Sequence, residues 1–74
     1  MKTGVYFADG NFFVRVDRAD EDNQWEETLS EATQVVVFQN DKVCLRLAKD
    51  CYTRERLLQL HNEVVAAVVA ATKK

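Results

Sequence analysis

The sequence predicts an α+β domain in which two β-hairpins form a four-stranded antiparallel sheet that packs on one C-terminal helix, in the order β-β-β-β-α. Two pairs of β-rich runs each flank a short turn signal, and the apolar residues of the C-terminal stretch recur at the spacing of a helix. A chain of 74 residues fits a single domain, 1–74. We divide it into a hairpin over 4–17, an acidic loop over 18–33, a second hairpin over 34–48 and a helix over 53–72.

The first hairpin is predicted to turn at Asp9 and Gly10, which separate residues 5–8 from residues 11–16. Asp-Gly between two β-rich runs is a strong signal for a two-residue turn, because such turns need a positive φ. This turn pairs Phe7 with Phe12 and sends alternate side chains to opposite faces. The predicted core face carries Val5, Phe7, Phe12, Val14 and Val16. The outer face carries Tyr6, Phe13, Arg15 and Asp17.

The second hairpin is predicted to turn at Asn40 and Asp41, residue types that tolerate the left-handed conformation. This loop pairs Gln39 with Lys42 and Phe38 with Val43. A slip of one residue would exchange the two faces of the hairpin. The predicted core face carries Val36, Phe38, Val43, Leu45 and Leu47. The predicted outer face carries Val35, Val37, Cys44 and Arg46.

The C-terminal helix is predicted from an apolar stripe at three- and four-residue spacing. The stripe comprises Leu57, Leu60, Val64, Val68 and Ala71. Asp50 or Thr53 can cap its start. Residues 64–71 are all valine or alanine, so a small chain cannot cover this stretch on every side, which favours a two-fold homodimer. The predicted dimer residues are Val65, Val68 and Val69.

Acidic residues concentrate in the first part of the chain. Residues 1–41 hold nine acids and three bases, whereas residues 42–74 hold three acids and seven bases. Complementary charge steers association, so the acidic loop is a predicted contact surface for a protein partner. Its predicted contact residues are Asp20, Glu21, Asp22, Trp25, Glu26 and Glu27. The segment is a loop, a short helix or a strand, since Trp25, Leu29 and Ala32 also have the spacing of a helix face.

The outer sheet face suggests an alternative function. Tyr6 and Phe13 are predicted neighbours beside Arg15 and Arg46, and aromatics with arginines can stack the bases of single-stranded nucleic acid. The net charge of −2 favours a protein contact at this face, because phosphate binding needs a basic footprint.

No motif predicts a catalytic, cofactor or metal site. Residues 20–31 match part of an EF-hand loop, but Trp25 stands where that loop requires glycine. Cys44, Cys51 and His61 are too few for a structural zinc site. Cys51 with His61 as its base is a weaker enzyme hypothesis, because no third orienting group is evident.

The sequence shows no signal-peptide core and no apolar run long enough to span a membrane. Its two cysteines are typical of reduced thiols, which predicts a cytoplasmic protein without membrane contact. The predicted function is a non-enzymatic interaction module, homodimeric, that binds or inhibits a protein partner. Size and acidity suggest an accessory protein of a phage or plasmid.

Overall fold

The computed structural model describes residues 2–72. One open antiparallel sheet has the strand order β2-β1-β3-β4, formed by β1 (Gly4–Asp9), β2 (Phe12–Arg15), β3 (Gln34–Gln39) and β4 (Lys42–Leu47). The helices are α1 (Val16–Glu21), α2 (Trp25–Glu31) and α3 (Arg54–Thr72), and a 3₁₀ turn over Lys49–Cys51 precedes α3. The predicted α+β fold, with two hairpins and a C-terminal helix, is confirmed.

The two central strands explain the unbroken apolar runs of the sequence. Residues 5–8 of β1 and 35–38 of β3 are buried on both faces of the sheet, whereas most residues of the edge strands are exposed. A strand buried on both faces needs no alternation of apolar and polar residues.

All three helices contribute to one core on one face of the sheet. Phe7 lies at its centre, with its ring 4.9 Å from the ring of Trp25 in an edge-to-face arrangement. Leu57 of α3 is fully buried there. The other fully or largely buried members are Val5, Val16, Ala19, Ala32, Val35, Val37 and Leu47.

The register of the first hairpin differs from the prediction by two residues. Asp9 pairs with Phe12 and Phe7 with Val14, so Gly10 and Asn11 form the loop. Gly10 has a φ of +60° at the first loop position, as a type II′ turn requires. Because the shift is even, the predicted faces of β1 and β2 are unchanged, although Val16 begins α1 instead of ending the strand.

The second hairpin turns at Asn40 and Asp41 as predicted, and both residues have a positive φ. Gln39 pairs with Lys42 and Phe38 with Val43, but a β-bulge follows, and Val37 then pairs with Leu45. The predicted faces of β3 are therefore wrong. Val35 and Val37 face the helices, and Val36 and Phe38 lie on the opposite face.

The predicted acidic loop over 18–33 is wrong as a loop, because α1 and α2 occupy most of it. Trp25 and Ala32 are buried on the predicted face of α2. The Nζ of Lys49 bonds the carbonyl oxygens at the end of α2, the shortest at 2.6 Å to Ala32, which suits the negative end of the helix dipole. The predicted cap of α3 by Thr53 is confirmed, since its Oγ1 accepts the Arg56 N–H at 3.2 Å.

Candidate interaction surfaces

A buried polar cluster fixes α3 to the central strand. His61 is 3% exposed, and its Nδ1 accepts the Val5 N–H at 3.1 Å. Its Nε2 lies 3.6 Å from Oδ2 of Asp17, which takes two hydrogen bonds from Arg15. His61 therefore belongs to the face of α3 that packs on the sheet. Its position four residues after Leu57 already placed it on the buried stripe.

The environment of His61 favours a neutral imidazole, chiefly because the ring is buried. Burial lowers the pKa of His61 below its ordinary value, the Asp17 carboxylate opposes that shift, and Arg15 adds to it. The hydrogen bond from Arg15 holds the pKa of Asp17 below its ordinary value. Since Nδ1 accepts a hydrogen bond, the proton of the neutral ring lies on Nε2, toward Asp17. His61 is buried in this cluster, and its hydrogen bond from the Val5 N–H ties α3 to β1.

The acidic segment, residues 16–32, holds seven acids and one base. Asp20 forms an ion pair with Arg54, whose guanidinium also lies 5.9 Å from the centre of the Trp25 ring. Trp25 is 8% exposed and belongs to the core, so its prediction as a contact residue is wrong. Four of the predicted contact residues are exposed, namely Glu21, Asp22, Glu26 and Glu27.

A groove of about 280 Å³ runs between the first hairpin and α2. Phe7, Phe12 and Val14 lie on its hairpin side, and Phe12 is 78% exposed. The other wall carries Gln24, Thr28 and Glu31, which have the spacing of a second face of α2. Sequence reasoning missed this groove, although that spacing could have indicated it once α2 was recognised as a helix.

The sheet face without helices, here the open face, carries the four residues predicted to lie together. Tyr6 of β1 pairs with Arg15 of β2 on one side and with Val36 of β3 on the other. Val36 in turn pairs with Arg46 of β4, and Phe13 of β2 pairs with Ala8 of β1. Phe13 and Tyr6 each contact the Phe38 ring edge-to-face. Tyr6 and Phe38 are each 7% exposed, so of these three rings Phe13 alone keeps a substantial exposed surface.

The α3 tail, residues 65–72, extends from the core. Val65 and Val68 are half-buried, Val69 is 46% exposed, and the alanines of the tail are exposed. The predicted stripe therefore stops short of Ala71. The chain measures 39 × 22 × 21 Å. It exposes 5119 Å², against about 4,650 Å² expected for a compact monomer of this mass.

Cys44 and Cys51 are both free and exposed. Within residues 2–72, no three His, Cys, Asp or Glu side chains gather closely enough to hold a metal ion. None of the helices described here is both long and apolar enough to cross a bilayer.

Comparison with known proteins finds no matching family model, no similar curated protein and no similar solved structure.

Proposed function

We propose that this chain is a non-enzymatic protein-interaction module that forms a two-fold homodimer through the α3 tail and presents its acidic segment to a protein partner. The observation that carries the proposal is the exposure of the tail. Val69 is 46% exposed in a run of eight valines and alanines, and a soluble protein seldom leaves such a run uncovered.

A second copy of the chain suits the tail better than a partner of opposite charge. Between Glu63 and Thr72 the sequence has no charged residue, so this surface offers nothing for a charged partner to recognise. Alanines alternate with valine pairs along the tail, and small residues let two helix backbones approach closely. A two-fold axis lets the same surface serve both copies.

The acidic segment remains free for another protein when the tails pair. Glu21, Asp22, Glu26 and Glu27 are exposed on α1, α2 and their connection, and none of them belongs to the tail. Such a surface supports fast association with a basic partner. Binding and inhibition of a host complex by a phage or plasmid accessory protein would use a surface of this kind. Two exposed free thiols are compatible with the reducing cytoplasm.

Single-stranded nucleic acid is the less favoured ligand. Base stacking needs accessible rings, and on the open face Tyr6 is buried while Arg15 is engaged by Asp17. Filter binding of labelled single-stranded oligonucleotides over a range of salt tests this alternative. Retention at low salt that Phe13→Ser abolishes would favour nucleic acid over protein as the ligand of the open face.

Light scattering coupled to gel filtration tests the homodimer. The wild-type chain should elute at twice its 8.5 kDa mass at micromolar concentration. Val69→Asp should shift it to the monomer, because each copy would bury an unpaired carboxylate in the interface.

The matched control is Gln59→Asp, which adds the same charge at an exposed position in the first half of α3. Gln59→Asp should leave the mass unchanged. A wild-type monomer at high micromolar concentration, or equal dissociation by both variants, would refute the tail interface.

A further inference from the structure

We infer that the groove between the first hairpin and α2 binds a partner-protein segment that combines one or two large apolar side chains with lysine or arginine. This inference rests on the proposed function and specifies where and what the module binds. The groove and the α3 tail share no lining residue, so the two proposals can fail separately.

The apolar part of the groove is an uncovered extension of the core. Asp9 pairs with Phe12 and Phe7 pairs with Val14, so Phe7, Phe12 and Val14 share the sheet face on which the helices pack. Phe7 is 2% exposed under this layer, whereas Phe12, near the hairpin turn, is 78% exposed. An exposed aromatic beside a concave apolar surface is typical of a protein contact site.

The opposite wall belongs to α2, which has two lateral faces with different contacts. Trp25 and Ala32 lie in the core. Gln24, Thr28 and Glu31 follow each other at helical spacing and line the groove. Their polar groups give the groove a rim that can accept hydrogen bonds beside an apolar floor, as protein interfaces commonly have.

The charge around the groove selects a cationic partner. Asp9 and Glu31 lie at the rim, and the adjoining acidic segment holds seven acids against the single base Arg18. Lys49, the cation at the end of α2, is engaged by the carbonyl oxygens of Leu29, Ser30 and Ala32. Lys49 keeps its charge there, but the acids of the rim and of the acidic segment outnumber the nearby bases, and this excess disfavours the phosphates of nucleic acid.

The size of the groove limits which ligand it can hold. Its volume of about 280 Å³ is slightly below the range of small-molecule sites, which starts at ~300 Å³. One or two side chains such as leucine or phenylalanine fill this space while their basic neighbours meet Asp9 and Glu31. An apolar floor gives no advantage to a free inorganic cation, so a basic and apolar peptide segment fits both features.

Fluorescence anisotropy with synthetic peptides tests the inference on the full chain. The probe is a labelled peptide that alternates lysine and leucine, and its controls replace every lysine by glutamate or every leucine by serine. The lysine-leucine peptide should bind, and both control peptides should bind at least about tenfold more weakly, which is the usual effect of losing one strong contact.

Two pairs of variants locate the site. Glu31→Lys in the groove and Glu63→Lys on α3 make the same charge change, and Phe12→Ser and Val69→Ser remove exposed apolar side chains from the groove and from the tail. Glu31→Lys and Phe12→Ser should each weaken the peptide about tenfold. Glu63→Lys and Val69→Ser should change its affinity less than about twofold, because the groove contains no residue of α3.

Several outcomes would overturn the proposal that the groove binds such a segment. Absence of peptide binding would refute it, and so would equal weakening by Glu31→Lys and Glu63→Lys, which indicates diffuse attraction to an acidic protein. Equal affinity for the serine control peptide would show that the apolar floor is not used. Far-ultraviolet circular dichroism of the variants checks their folding, which exposed substitutions should preserve. The mass of the wild-type chain reports on the dimer independently of all these results.

Discussion

The two halves of α3 have similar apolar spacing but different surroundings. In the first half, Leu57 is fully buried and His61 is 3% exposed, whereas Val69 in the tail is 46% exposed. His61 packs against Gly4, the first residue of β1, so the turns that follow extend past the start of that central strand. Apolar periodicity therefore specifies which side of a helix is apolar, and the length of the supporting strand decides how much of that side becomes core.

The largest expected contrast between the two halves is in stability. Leu57→Ala should lower the free energy of unfolding by about 2–5 kcal/mol, because it leaves a cavity at a fully buried site. Val69→Ala should change it by less than about 0.5 kcal/mol in the monomer, because Val69 is 46% exposed and has few core neighbours to lose. Urea unfolding at low protein concentration measures both. The only tryptophan, Trp25, lies against Phe7 in the core and supplies the fluorescence signal.

A similar loss of stability from both alanine variants would contradict this division of the helix. It would mean that the tail packs on its own chain in solution. Ala67→Ser, an exposed change in the same tail, is a control for effects of helix propensity and should cost no more than about 0.5 kcal/mol.

The second largest expected loss of stability is at Gly4, where the absence of a side chain lets His61 of α3 pack closely against β1. A Cβ at Gly4 would lie 2.3 Å from Nδ1 of His61, and its φ of +123° is one that residues with side chains rarely adopt. Gly4→Ala should therefore cost about 3 kcal/mol from backbone strain and overpacking. Differential scanning calorimetry at neutral pH measures the change.

Gly10→Ala is the matched control, because its φ is also positive but nothing lies within 4 Å of the added Cβ. It should cost only the backbone strain, about 1 kcal/mol. Equal losses of stability from the two substitutions would show that the close packing of His61 on Gly4 does not contribute to stability.

Local signals predicted the elements of the fold better than their mutual packing. Asn40 and Asp41 specified their turn because both adopt a positive φ there. The faces of β3 depended on one residue of register, and the bulge opposite Val37 and Phe38 exchanged them. A bulge depends on contacts across the sheet, which no short window of sequence contains.

The candidate sites show the same limit. The exposure of Val69 followed from local composition, since residues 64–71 are apolar on all sides. The groove did not, because Phe12 and Glu31 are distant in sequence and meet only after α2 packs against the first hairpin. Burial of Trp25 in the acidic segment likewise required its contact with Phe7.

The smallest expected effect is a change of stability with pH, which His61 confers on the buried half of α3 and which the tail lacks. Among the described groups packed on His61, Asp17 is acidic and Arg15 is basic. Because the folded pKa of His61 is below the ordinary 6.5, the unfolded chain binds more protons than the native one as pH falls below about 6.5. The contribution of His61 to stability is therefore complete above pH 6.5 and decreases below it. Asp17 contributes to the pH dependence of stability only at lower pH, because its stabilisation is lost as the pH falls through a pKa below 3.8.

His61→Asn isolates the imidazole, because the Asn Oδ1 takes the place of Nδ1 as acceptor for the Val5 N–H but does not titrate. Urea unfolding at a series of pH values between about 4.5 and 7.5 should give a falling stability for the wild type on acidification and a flatter profile for His61→Asn. The variant should be less stable at neutral pH, since asparagine is smaller than histidine, so the slope and not the absolute stability carries the result. An unchanged slope would assign the acid sensitivity to other groups. Gln59→Asp on the exposed side of the same half provides a control that should keep the wild-type slope, because the ordinary pKa of an aspartate, about 3.9, lies below the pH range measured.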